Sequence, residues 1–322
     1  MKKYALLVMS AWIGSALATN TPTPNKVSTP ELTLSIMNQV IAPQVQALQT
    51  AANELNQNTA ALCQQPSEAN LQQAQQAYLR TFSAWQQIGI APIGPSKQQP
   101  TSRLFEIPAQ STTELARQSL TMPTQPMSDG EAHYYGQQLA DGYLGLPVIA
   151  AVLFNDTPPL TLLQQDSLCA YVNWQAKTIS RQVTILKYEW QGLIRGAAYD
   201  ISYPGQLMTE YLKALEAGSQ RLASFKPQDS AKPHITQEIN ANIAGLSTLI
   251  TGAKGIGLDD YLLSRQHQKQ WKKTQQQLSK LQQAGQQLAQ HNSERNAKQV
   301  SVAAQLLNDT LRTDVATALR RN

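Results

Sequence analysis

From Pro66 to Ile88 the chain reads PSEANLQQAQQAYLRTFSAWQQI, and this stretch decides the fold. Pro66-Ser67-Glu68 is an opening for a helix, because a serine side chain can accept from the backbone donors that a first turn leaves unpaired. Ala, Leu and Gln then carry the pattern to Ile88, without the runs of β-branched or aromatic residues that a strand needs. The same texture recurs on both sides, so the expected class is all-α.

Working outward, a first helix is expected over about Pro30 to Thr59, where Ile36, Val40, Val45, Leu48 and Leu55 recur near helical spacing. A third is expected over about Asp129 to Phe154 and, after Asn155-Asp156-Thr157-Pro158-Pro159, a fourth over about Leu160 to Arg195. Tyr203-Pro204-Gly205 reads as a break. Four more helical patterns follow, Gln206 to Ser224, Ile235 to Thr251, Arg265 to Gln290 and Ser293 to Arg320. Four helices, a break and four helices predict two four-helix-bundle-like domains, residues 19–202 and 203–322.

Residues 1–18 read as an export signal: a charged MKK start, the apolar stretch YALLVMSAWIG, and the small-x-small site Ala16-Leu17-Ala18. Cleavage is expected after Ala18. The apolar run is shorter than the roughly 20 residues of a spanning helix, and no cysteine follows it to carry a lipid. No further stretch has the length of a membrane span. Without Lys2 and Lys3 the 26 basic residues fall to 24 against 21 acidic, a formal charge of about +3. That weak excess disfavours nucleic-acid binding.

Cys63 and Cys169 are the full cysteine inventory of a chain expected to be exported. In an up-down-up-down arrangement the end of the first helix and the start of the fourth share one pole, which predicts a disulfide between them.

Between the second and third helices lies APIGPSKQQPTSRLFEIPAQ and a loose stretch to Ser128, broken by Pro92, Pro95, Pro100, Pro108, Pro123 and Pro126. A connection this long usually wraps the domain or serves a function. The third helix in turn contains GLPVIAAVLFND, Gly145 to Asp156, with a proline inside an apolar helical pattern. Proline removes a donor and clashes with the preceding turn, so Gly145 to Pro147 is expected to kink or break the helix against the Pro-rich loop. The carbonyl of Tyr143 would then need another partner.

AALCQQPSEANLQQAQQAYLRTFSAWQQIGIAPIGP, SRLFEIP, GLPVIAAVLF, LCAYVNWQAKTISRQVTILKYEW and LRTDVATAL occur in the order found in the imelysin family of bacterial envelope proteins, which this chain resembles over most of its length. The resemblance implies two helical bundles about a pseudo-twofold axis, with a site near their junction on the third helix. It also implies a link to iron uptake, and envelope iron-uptake components as partners. The family is named for a metallopeptidase whose hallmark is Gly-x-His-x-x-Glu, a helix face offering a nitrogen and an oxygen ligand. Here Gly145 matches, but Pro147 stands at the histidine position and Ala150 at the glutamate position. A branch of the family has Gly-Leu-Pro with the glutamate kept; this chain resembles it and lacks the glutamate too. Neither side chain can bind a metal.

Other residues offer little replacement. His291-Asn292-Ser293-Glu294 is a literal His-x-x-Glu, yet Asn292 or Ser293 is placed to cap the last helix. His133 is about 21 Å along a helix from Pro147. His234 and Glu238 read as a solvated pair, and His267 as surface. Asp141, His133, Asp259 and Asp260 could form a metal site only by converging over long range. Gly252-Ala253-Lys254-Gly255-Ile256-Gly257 follows a helix rather than a strand and reads as a flexible turn, continued by Leu258-Asp259-Asp260. The chain has no Gly-x-Ser-x-Gly, His-Glu-x-x-His or phosphate-loop pattern. Lys269, Lys272, Lys273 and Lys280, with Trp271, could face an anionic surface or simply solvent.

These readings converge on a non-catalytic binding or accessory protein of the periplasm or cell envelope, with no cofactor. The competing readings are a metallopeptidase holding zinc or iron through other ligands, and an envelope scaffold. The candidate ligand-binding residues are Trp85, Arg103, Phe105, Gly145 and Pro147, with Tyr78 nearby; packing alone would also explain Trp85 and Phe105.

Overall fold

The computed structural model describes residues 26–105, 144–164, 166–197, 199–200, 202–228 and 234–320. Among them there is no strand. The export signal expected over 1–18, most of the Pro-rich stretch, and His133, Asp141 and Tyr143 lie outside the described residues.

The first expected helix runs longer than its periodicity suggested, as α1 (Thr29–Ser35), a π-helical turn (Ile36–Ile41) and α2 (Ala42–Gln64). Ser28 starts it with a reciprocal cap: its Oγ accepts from the Glu31 amide at 3.3 Å while the Glu31 carboxylate accepts from the Ser28 amide at 2.6 Å. The π turn has a local cause. Pro43 has no amide hydrogen to give the preceding turn, and the wider turn before it, closed by the Ala42 amide donating to Met37, makes room for its ring.

α3 (Glu68–Gly89) is capped by Ser67, whose Oγ accepts from the Asn70 amide at 3.3 Å. A 3₁₀ turn (Gly94–Lys97) and the short α4 (Gln99–Ser102) lead to the described end of this segment at Phe105. The chain resumes in α5 (Leu146–Leu153), α6 (Pro159–Leu162) and the long α7 (Asp166–Ala197). α2 packs against both α3 and α7, while α5 lies across α3 and α7. Cys63 of α2 and Cys169 of α7 form a disulfide with Cα atoms 5.5 Å apart.

The second half comprises α8 (Tyr203–Ala223), α9 (Ile235–Thr251), α10 (Leu258–Leu263), α11 (Gln268–Gln290) and α12 (Glu294–Asp309), ending in a π turn (Thr310–Val315) and α13 (Ala316–Arg320). Three sequence readings need correction. Tyr203-Pro204-Gly205 opens α8 instead of breaking the chain, because a proline in the first turn has no amide partner to lose. Leu258-Asp259-Asp260 is helical, with the Asp260 carboxylate accepting from the Gly257 amide at 3.1 Å. The helix expected from Arg265 begins at Gln268, after a separate turn through Gln266 at positive φ.

α11, α12 and α8 pack in sequence, and the buried Asn308 amide donates to the Glu216 carbonyl at 2.8 Å and the Ser219 hydroxyl at 3.0 Å. α3 meets α9 at a close backbone approach between the halves: a methyl added at Gly245 would stand 2.2 Å from the Gln87 carbonyl oxygen. One apolar core runs from Leu32 to Val315 through this contact.

Candidate functional site

The nominated residues meet where α5 begins. Gly145 stands before α5 with φ 72° and ψ −143°, a conformation open to glycine alone. Its amide donates to the buried Gln175 Oε1 at 2.6 Å, and the Leu146 amide donates to the Leu104 carbonyl at 2.8 Å. The expected break is therefore a helix start. Pro147 sits in the first turn of α5, where its missing donor costs nothing, and it is buried.

The segment α5 rests on is the one carrying Arg103 and Phe105. The Phe105 ring stacks on Trp85 with centroids 4.3 Å apart and planes 14° from parallel. Both rings are buried, as packing alone would have them, and Arg103 is half-buried in the turn between α4 and Phe105. Trp85, Phe105, Gly145 and Pro147 thus form one apolar junction of α3, the loop and α5.

α5 runs antiparallel to α3, and its other end closes on a second cluster. The Gln75 side-chain amide donates to the Leu153 carbonyl at 2.7 Å. Phe154 lies edge-on to Tyr78 at 5.2 Å and to His234 at 4.5 Å, with Tyr78 and His234 6.0 Å apart. Pro147, Ala150 and Phe154 share one face of α5, at helical spacing, so the two family positions lead along that face to His234.

His234 precedes α9 at φ 60° and ψ 10°, a left-handed conformation uncommon for a residue with a side chain. Its Nε2 is buried without a hydrogen-bond partner among the described residues. Burial pushes the imidazole below its ordinary 6.5, so it is neutral at pH 7. Burial also lifts the Tyr78 hydroxyl far above the usual tyrosine range, with the charge of Glu238 adding to it. His234 and Glu238, expected from sequence as a solvated pair, are both half-buried, and the His234 ring lies beside Tyr78 and Phe154. The one sequence signal was the position of His234 directly before the apolar helix at Ile235; nothing local names the helices that meet it.

The residues do not fit the metal that the hallmark motif serves. Pro147 and Ala150 offer no lone pair, and among the described residues no three His, Cys, Asp or Glu side chains gather. Asp259 and Asp260 follow the far end of α9, about 25 Å from His234 along that helix. Burial, then the neighbouring Asp260, raises the Asp259 carboxyl. At the last helix Ser293 Oγ accepts from the Asn296 amide at 3.3 Å, so His291-x-x-Glu294 is a capping sequence.

Together these features define a class, all-helical proteins in which a glycine-started helix is seated on a loop and packed between two longer helices. Residues 41–320 match the family model for Imelysin, and the chain belongs to the imelysin family. An imelysin-like protein from Psychrobacter arcticum 273-4 shares the fold at TM-score 0.72 and 15% identity, covering 91% of this chain and 97% of that one. A protein provisionally named iron-regulated protein A precursor, from Parabacteroides distasonis ATCC 8503, does so at TM-score 0.71 and 11% identity, covering 91% and 95%. No curated protein matches.

Proposed function

We propose that this imelysin-family protein is a non-catalytic binding or accessory protein of the bacterial cell envelope, linked to iron acquisition. The observation that carries the reading is the α5 face, where Pro147 and Ala150 occupy the positions of the family's His and Glu. A catalytic zinc needs about three protein ligands and an open position, and this face supplies none. The iron link is supported by family membership and by the provisional name of the Parabacteroides relative. Export is supported by the signal-like residues 1–18.

Calorimetric titration of the purified mature protein with zinc and ferrous iron, beside a peptide-cleavage assay, tests the reading. The expected outcome is no micromolar binding and no cleavage, with Pro147→His/Ala150→Glu gaining affinity. Micromolar binding lost on changing Asp141 or His133 would overturn this reading, and peptide cleavage lost with it would favour the peptidase. Deleting the gene should slow growth under iron limitation and leave iron-replete growth unchanged; equal growth in both removes the iron link.

A further inference from the structure

α11 and α12 are antiparallel neighbours whose outward seam is left open as a groove of about 450 Å³. Ala284 and Ala303 line it at positions where larger side chains would fill the space. Val302 and Leu306 project along it, 52% and 42% exposed. Its rim is cationic. Lys280, Arg295 and Lys298 line it, no acidic residue does, and none of the three is ion-paired among the described residues. α11 itself carries four lysines and no acidic residue.

We propose that this groove docks an acidic amphipathic helix of a partner protein. From Arg295 to Leu306 the lining residues follow one face of α12 for three turns, about 16 Å, and a cleft between two helices accepts a third along its length. The occupant's apolar stripe meets Val302, Leu306 and the alanine floor. Its flanks must carry Glu or Asp to meet Lys280, Arg295 and Lys298. A second copy of this chain is the wrong occupant, because a twofold interface sets a patch against itself and would oppose these cations to one another. A flat bilayer is also a poor match, since the alanine floor is recessed between two helices. The inference is independent of the metal and iron readings of the α5 junction.

The test is fluorescence anisotropy on the full mature chain with a labelled helical peptide of about three heptads, Leu and Ile on one face and Glu on both flanks. Controls are the same composition scrambled and the same apolar face flanked by Lys. The acidic peptide is expected to bind at least roughly tenfold more tightly than either control and to weaken with added salt. Arg295→Glu/Lys298→Glu should lose at least about tenfold, and Leu306→Ser, which removes an exposed apolar contact, a similar factor, while melting temperatures stay near wild type. No binding, or equal binding of the Lys-flanked or scrambled peptide, overturns the proposal. Sedimentation with phosphatidylglycerol vesicles abolished by the double variant would assign the face to a membrane. Dimerisation in ultracentrifugation abolished by Val302→Asp would assign it to a second copy.

Discussion

The Leu104 carbonyl accepts from the Leu146 amide at 2.8 Å and lies where a side chain on Gly145 would be, 1.9 Å from a methyl built there. The helix that carries the family positions is thus seated on the loop by backbone contact. Gly145→Ala adds a steric conflict with backbone to a φ of 72°. We expect it to destabilise the protein by at least about 2 kcal/mol, measured as a lower urea midpoint at unchanged slope. A midpoint equal to wild type would show that α5 can shift away from Leu104 without penalty.

The disulfide joins residues 106 apart in sequence. Cys63→Ser/Cys169→Ser should lower stability by about 2–4 kcal/mol, chiefly by freeing the unfolded chain. Thermal melts with and without reductant check it: reductant should lower the wild-type transition and leave the double variant unmoved.

His234 makes the protein sensitive to mild acid. Burial lowers its proton affinity in the folded state, so below pH 6.5 the unfolded chain holds more protons and stability falls as pH drops. Well above 6.5 both states are neutral at this site and it contributes no pH dependence. The imidazole titration followed by NMR should have its midpoint below 6.5, and His234→Gln should flatten the decline in stability as pH falls below 6.5. A midpoint at or above 6.5 would mean that the ring is better hydrated, or better paired, than its contacts with Tyr78 and Phe154 imply.

Gly245 sets the spacing of α3 and α9. Gly245→Ala places its methyl 2.2 Å from the Gln87 carbonyl oxygen, so the helices must part. The expected loss is about 1–3 kcal/mol in chemical denaturation. A matched alanine change at Gly205, which meets nothing within 4 Å, should show no comparable steric penalty.

What the sequence made legible were features written in neighbouring residues. Ser67 and Ser293 cap the helices their positions announced, and Gly145-Leu146-Pro147 marked a break because glycine and proline act on their own backbone. Cys63 and Cys169 could be paired because chain order alone brought helix ends to one pole. The rest depended on distant partners. Periodicity in Ile235 to Thr251 gave α9 its bounds but could not say that Gly245 faces Gln87 or that His234 lies under Phe154. Leu258-Asp259-Asp260 looked like loop because three glycines precede it. Its helix forms because Asp260 caps it and Leu258 and Leu262 are buried.

The bond between Cys63 and Cys169 also settles what a peptide-bond cut would do. Any cleavage between residues 64 and 168, the whole Pro-rich stretch included, leaves Cys63 on one fragment and Cys169 on the other, still tied by sulfur. Under denaturing conditions a nicked molecule would still travel as one species, and only reductant would let the two pieces part. The covalent continuity of the molecule across that stretch is therefore doubled, once by the main chain and once by sulfur.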